Sequence, residues 1–137
     1  MSLVIDSSVT LAWCFHDERT DAATSLLHRV GDTGAVVPGL WRLEVVNGLQ
    51  TARRRGRIDA AYRDATLADL RALAIQVDPE TDRMAWSSIS QLADRSRLTS
   101  YDAAYLELAQ RPALPLASLD KALQAAAREA GVTVIGL

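Results

Sequence analysis

Cysteine is almost absent: Cys14 is the only one in 137 residues, so no disulfide forms within the chain. One thiol and two histidines, His16 and His28, do not make a Cys/His zinc site unless ligands of another type join. Lysine is as scarce, with Lys121 the single one among 15 Lys and Arg. Against 17 Asp and Glu this leaves a net charge of −2, so no basic field covers the surface, and a nucleic-acid role needs a local basic patch. No apolar run approaches the roughly 18 residues of a membrane span. The start, Met1-Ser2-Leu3-Val4-Ile5-Asp6, lacks the basic and then apolar stretches of a signal peptide. These absences predict a cytoplasmic protein with no membrane association.

What the chain does have is apolar content, 49% of residues, enough to fill the interior of one domain spanning 1–137. Short β-rich runs alternate with longer helical patterns, which is the sequence form of an α/β fold with a mainly parallel sheet of four to five strands flanked by helices. The strand candidates are Leu3 to Ile5, Ala35 to Val37, Ala74 to Val77, Leu114 to Ala117 and Val132 to Ile135. Helical patterns cover 8–15, 18–30, 39–55, 59–73, 80–95, 100–110 and 119–130. Gly31, Gly34, Gly56 and Gly131 punctuate their ends, and Asp59 and Ser100 are the expected N-caps. Trp13, Trp41 and Trp86 read as core anchors rather than stacking platforms, although Trp41 opens the helix that carries Glu44.

Four acids stand in apolar surroundings: Asp6 after Leu3-Val4-Ile5, Glu44 between Leu43 and Val45-Val46, Asp102 in Tyr101-Asp102-Ala103-Ala104-Tyr105, and Asp120 after Leu116-Ala117-Ser118-Leu119. A lone buried carboxylate is unfavourable by several kcal/mol or becomes protonated, and cations are scarce beside these four. Asp6 and Asp120 follow the first and fourth strands. In open parallel sheets the ligand crevice lies outside the strands' carboxyl ends. Glu44 and Asp102 fall in the early turns of helices that can face the same crevice.

Two carboxylates about 4 Å apart repel by about 4 kcal/mol at an effective dielectric near 20. A divalent cation relieves that repulsion, and all-oxygen ligation selects a hard one, Mg²⁺ or Mn²⁺. The chemistry that follows is hydrolysis of a phosphodiester by water that the ion activates. Ser118, Ser7 and Asn47 are candidates for supporting the acids or binding substrate, and Arg42 or the run Arg53-Arg54-Arg55-Gly56-Arg57 for holding a nucleic-acid backbone. Plainer readings stand beside these. Asp6, Asp102 and Asp120 are each placed to cap a helix, Glu44, Asn47 and Thr51 can form a solvent-facing stripe, and the arginine run can be a solvated helix end.

Together, Val4-Ile5-Asp6-Ser7-Ser8-Val9, Leu43-Glu44-Val45-Val46-Asn47, Tyr101-Asp102-Ala103-Ala104-Tyr105-Leu106-Glu107-Leu108-Ala109 and Ser118-Leu119-Asp120 resemble the PIN-domain family in order and approximate spacing. The likeness is greatest to the VapC-type toxins of type II toxin–antitoxin modules and extends over essentially the whole chain. The resemblance implies a Mg²⁺- or Mn²⁺-dependent endoribonuclease acting on RNA through Asp6, Glu44, Asp102 and Asp120. It also implies a homodimer and inhibition by a cognate VapB-type antitoxin. Three other readings stay open: a processing nuclease of the same fold outside a toxin module, phosphotransfer through an aspartyl nucleophile at Asp6, and a non-catalytic protein-binding module. Ser8 in place of a second Asp, and a misplaced Lys121, count against phosphotransfer.

Overall fold

The computed structural model describes residues 2–137. Its chain runs β1 (Val4–Ile5), α1 (Ser7–Cys14), a 3₁₀ turn (His16–Glu18), α2 (Asp21–Thr33), β2 (Ala35–Val37), α3 (Trp41–Arg54), α4 (Ala60–Arg71) and β3 (Ile75–Val77). There follow α5 (Thr81–Met84), a π-helical turn (Ala85–Ile89), α6 (Ser90–Ser96), α7 (Ser100–Gln110), β4 (Leu116–Ala117), α8 (Lys121–Glu129) and β5 (Val134–Ile135). All five strands pair in parallel in the order β3-β2-β1-β4-β5, with Val4 opposite both Val36 and Leu116, and Ile5 opposite Ala117.

That order divides the helices between the two faces. Right-handed crossovers carry the chain from β1 through β2 to β3 on one side, then back across the sheet to β4 and β5 on the other. Accordingly α1 packs on α2 and α3, and α3 on α4, whereas α7 packs on α6, α8 and the π turn. The central strands are buried on both faces, and Leu3, Val4, Ile5, Leu116 and Ala117 are fully enclosed, as their unbroken apolar runs predict. The edge strands β3 and β5 are only half-buried. Beyond β3, Asp78 and the buried Glu107 of α7 share Arg111, which donates to Asp78 Oδ2 at 2.8 Å and to Glu107 at 2.9 Å. This ties the sheet edge to the second helical layer and holds the Asp78 carboxyl below the usual carboxylate range.

Several local expectations need correction. Thr99, not Ser100, caps α7: its Oγ1 accepts the Asp102 N–H at 3.1 Å. Both residues can cap, and the helix spans 100–110 as read with its cap one position earlier than expected. Gly31 lies inside α2, and Gly34 ends it at φ 76°, where an added Cβ would stand 2.7 Å from the Ala74 carbonyl oxygen. The helix expected over 80–95 is three pieces, α5, the π turn and α6. The π turn shifts the register, so Trp86, three residues before the buried Ile89, is 98% exposed rather than a core anchor. Trp13 and Trp41 are buried as expected.

A candidate active site at the switch of strand order

β1 and β4 are neighbours whose outgoing connections diverge, β1 leading to β2 on one side and β4 to β5 on the other. Parallel sheets open a crevice at such a point. Asp6 leaves β1 there and Asp120 follows β4.

Asp6 is 3% exposed and its two oxygens are fully engaged. Oδ1 accepts the Ser8 hydroxyl at 2.6 Å and the Val9 N–H at 3.1 Å, and Oδ2 accepts the Ser118 hydroxyl at 2.5 Å. Ser118 Oγ in turn accepts the Asp120 N–H, and Ser8 Oγ accepts the Leu119 N–H, both at 3.0 Å, so two hydroxyls lock the end of β1 to the loop after β4. Gln124 of α8 donates to the Ser118 carbonyl at 2.6 Å from behind. Asp120 accepts the Leu123 N–H at 3.1 Å. Asp6 and Asp120 are therefore helix caps, as the plainer reading has it, and they also stand side by side at the crevice. Asp102 is not a cap.

The two remaining acids arrive from the two helical layers. Trp41 Nε1 donates to Thr10 Oγ1, which donates to the Asp6 carbonyl, each at 3.0 Å, and this fixes the first turn of α3 against α1. Glu44 lies on that turn, where the buried Tyr105 of α7 donates its hydroxyl to Oε1 at 2.5 Å. Tyr105 sits three residues after Asp102, so the α7 face that presents one acid also holds another.

The electrostatics record the convergence. Burial pushes Asp6 up, three hydrogen bonds oppose it, and the Asp120 charge adds to it. Glu44 is raised by burial and then by Asp6, against the Tyr105 and Ser7 hydroxyls, which favour its ionised form. Asp102 accepts no hydrogen bond among the described residues and is pushed up to about 6, by burial first and then by Asp120, Asp6 and Glu44. Burial and the adjoining Glu44 push the Tyr105 phenol far above its ordinary range, so it stays a hydrogen-bond donor.

The other sequence candidates separate. Ser118 and Ser7 belong to this site. Asn47 lies one turn beyond Glu44 and is exposed. Arg42 lines an apolar cavity of about 470 Å³ between α3, α4 and β3, together with Leu43, Val46, Leu70 and Arg71, and none of the four acids lines it. The arginine run is displaced. Arg53 lies nine residues after Glu44, about 14 Å along α3 at 1.5 Å per residue, at the opposite end of the helix from the crevice. Arg57 is engaged by Asp17 and Glu18 at 3.1 Å and covers the Phe15 ring at 4.4 Å. Sequence reasoning missed Tyr105 and Gln124 as supports, although the three-residue spacing from Asp102 to Tyr105 signals a shared helix face.

The PIN-domain family model matches residues 3–129. The chain belongs to the PIN-domain family. The same fold is found in the crystal structure of PAE2754 from Pyrobaculum aerophilum, which is 22% identical and superposes with a TM-score of 0.71 over 98% of this chain and 84% of that one. No curated protein sequence matches this PIN domain. PIN domains are generally nucleases, which gives this one a hydrolase fold with nucleic acid as its class of substrate. No helix is long and apolar enough to cross a membrane among the described residues.

PIN domains typically use divalent metal ions, and the donors here are carboxylates with hydroxyl supports, chemistry that suits a hard cation. No three Asp, Glu, His or Cys side chains are already gathered tightly enough to hold an ion among the described residues. The raised Asp102 supplies the electrostatic reason a cation fits. It carries the uncompensated charge, and three carboxylates press on it.

Proposed function

We propose that this PIN domain is a Mg²⁺- or Mn²⁺-dependent endoribonuclease, the toxin of a type II toxin–antitoxin module of the VapC type. The observation that carries the reading is the convergence of Asp6, Glu44, Asp102 and Asp120 at one crevice, with no cationic partner among the described residues and with Asp102 raised to about 6 by burial first and then by the other three acids. A bound hard divalent ion would supply Lewis-acid activation of water and neutralise charge on the scissile phosphodiester. The chain's own residues do the positioning. Ser118 and Ser8 fix the Asp6 oxygens, Tyr105 aims Glu44, and Asp102 offers oxygens free of protein hydrogen bonds. Asp120, set by its cap and by Ser118, completes the donor set.

The cavity between α3 and α4 supports the toxin part of the reading. Its lining by Trp41, Leu43, Val46, Leu67 and Leu70, with Arg42 and Arg71 at hand, suits an apolar antitoxin segment carrying acidic residues. A VapB-type antitoxin would add a cation to the acids. A homodimer and a cytoplasmic location belong to the same proposal.

The test is cleavage of single-stranded and tRNA-like RNAs with Mg²⁺, with Mn²⁺ and with chelator, alongside Asp6→Asn. Metal-dependent cleavage lost in the variant is the expected result. Cleavage that survives chelation, or a fully active Asp6→Asn protein, refutes it. Tight binding of a protein partner without cleavage of any RNA points instead to a non-catalytic module.

A further inference from the structure

Among the described residues four large hydrophobic side chains are exposed, Leu43, Trp86, Tyr101 and Leu119, and only two of them are aromatic. Tyr101 is 62% exposed and immediately precedes Asp102 on the first turn of α7. Trp86 is 98% exposed on the π turn. The two elements are packed together, with Ile89 of the π turn buried against Ala103 and Ala104 of α7. Both bare aromatics thus lie on elements packed against one another, Tyr101 on the helix that presents Asp102 to the crevice.

We infer that Trp86 and Tyr101 form a stacking platform for unpaired nucleobases of the strand whose phosphodiester enters the crevice. The inference deepens the proposed ribonuclease reading and rests on it for the identity of the strand. An acidic crevice repels phosphate, so a strand needs attraction from outside the charge balance, and base–aromatic stacking supplies it without regard to sequence. The surroundings favour a base over a protein surface. Trp86 is bordered by exposed Arg83, Ser87, Ser88 and Ser90 rather than by a contiguous apolar patch, which a second copy of the chain would need to bury. The π turn explains how such a residue is presented. A regular helix would bring Trp86 onto the same face as Ile89, and the wider turn releases it outward.

The experiment measures anisotropy of a labelled oligoadenylate of about 12 nucleotides, and of an abasic strand of equal length, in chelator at low salt, with tryptophan emission read in parallel. Trp86→Ala and Tyr101→Ala each weaken oligoadenylate binding by roughly 5- to 150-fold, and leave the abasic strand unchanged. Trp86→Phe retains most of the affinity but loses the quenching of emission by the bases, because Trp13 and Trp41 are buried. Equal binding of both strands by the unaltered protein overturns the platform, as does oligoadenylate binding unaffected by either alanine. So does a Trp86→Ala protein that changes only its sedimentation, which assigns the residue to a contact between copies. Cleavage with metal is read separately. Absent cleavage with base-dependent quenching intact refutes the ribonuclease reading alone, and intact cleavage without quenching refutes the platform alone.

Discussion

Replacing Asp102 by Asn is expected to stabilise the metal-free protein at neutral and alkaline pH while abolishing its activity. Burial and three neighbouring acids raise the carboxyl from 3.8 to about 6. At about 1.4 kcal/mol per pH unit this is about 3 kcal/mol of unfavourable energy in the ionised form. Asp102 is only half-buried, and screening by solvent reduces the gain to about 1–1.5 kcal/mol. For a chain of this size that corresponds to a rise of roughly 3–6 °C in the melting temperature. The sign follows from proton binding. Between about pH 4 and pH 6 the folded state holds the proton more tightly than the unfolded chain, so Asp102 adds stability below that window and that stability is lost as pH rises through it. The variant should therefore gain at about pH 8 and match the unaltered protein near about pH 3, below the window. Thermal melts in chelator and in excess Mg²⁺ check both parts, since added metal should raise the unaltered protein more than the variant. A variant that melts lower than the unaltered protein at alkaline pH in chelator refutes the electrostatic account, and so does a gain that persists undiminished in acid.

Ser118→Ala should strip the hydroxyl from Asp6 Oδ2 and the acceptor from the Asp120 N–H, costing about 1–3 kcal/mol in urea unfolding together with most of the cleavage activity. Gly34→Ala should destabilise by roughly 2–3 kcal/mol, measured by the urea midpoint, because it combines a left-handed backbone with a Cβ placed against the Ala74 carbonyl, and it should spare activity at low temperature. Arg111→Ala should leave Asp78 and Glu107 without their shared cation, and with Arg111 about a third exposed the loss should be about 2–3 kcal/mol. That loss should shrink as pH falls through the carboxylate range, because Asp78 is held low in the folded state and its contribution disappears on protonation.

The strand ends that carry Asp6 and Asp120 were readable because a doubly buried strand leaves a local mark, a short apolar run closed by an acid. Glu44 was readable because its apolar neighbours lie on both sides of it. What escaped depends on partners distant in sequence or on irregular backbone. Arg57 looks like a free cation until Asp17 and Glu18, about 40 residues earlier, close on it. Tyr105 looks like core until α3 brings Glu44 to its hydroxyl. Trp86, Ile89 and Ala93 have the spacing of one helical face, and no residue in that stretch announces the π turn that separates Trp86 from the others. Thr99 and Ser100 are equally able caps, and only the geometry of the incoming loop chooses between them.

The hydroxyl that braces Asp6 belongs to a residue 112 positions later in the chain. During synthesis Asp6 is made before Ser118 and Asp120, which follow β4 and emerge only after helices α1 to α7 have been translated. The nascent chain therefore carries an unassembled crevice while the residues between Asp6 and Ser118 are translated. The sheet order that places β1 between β2 and β4 thus delays assembly of the site until β4 and the loop after it are made, so a fragment terminated before Ser118 would lack the complete cluster.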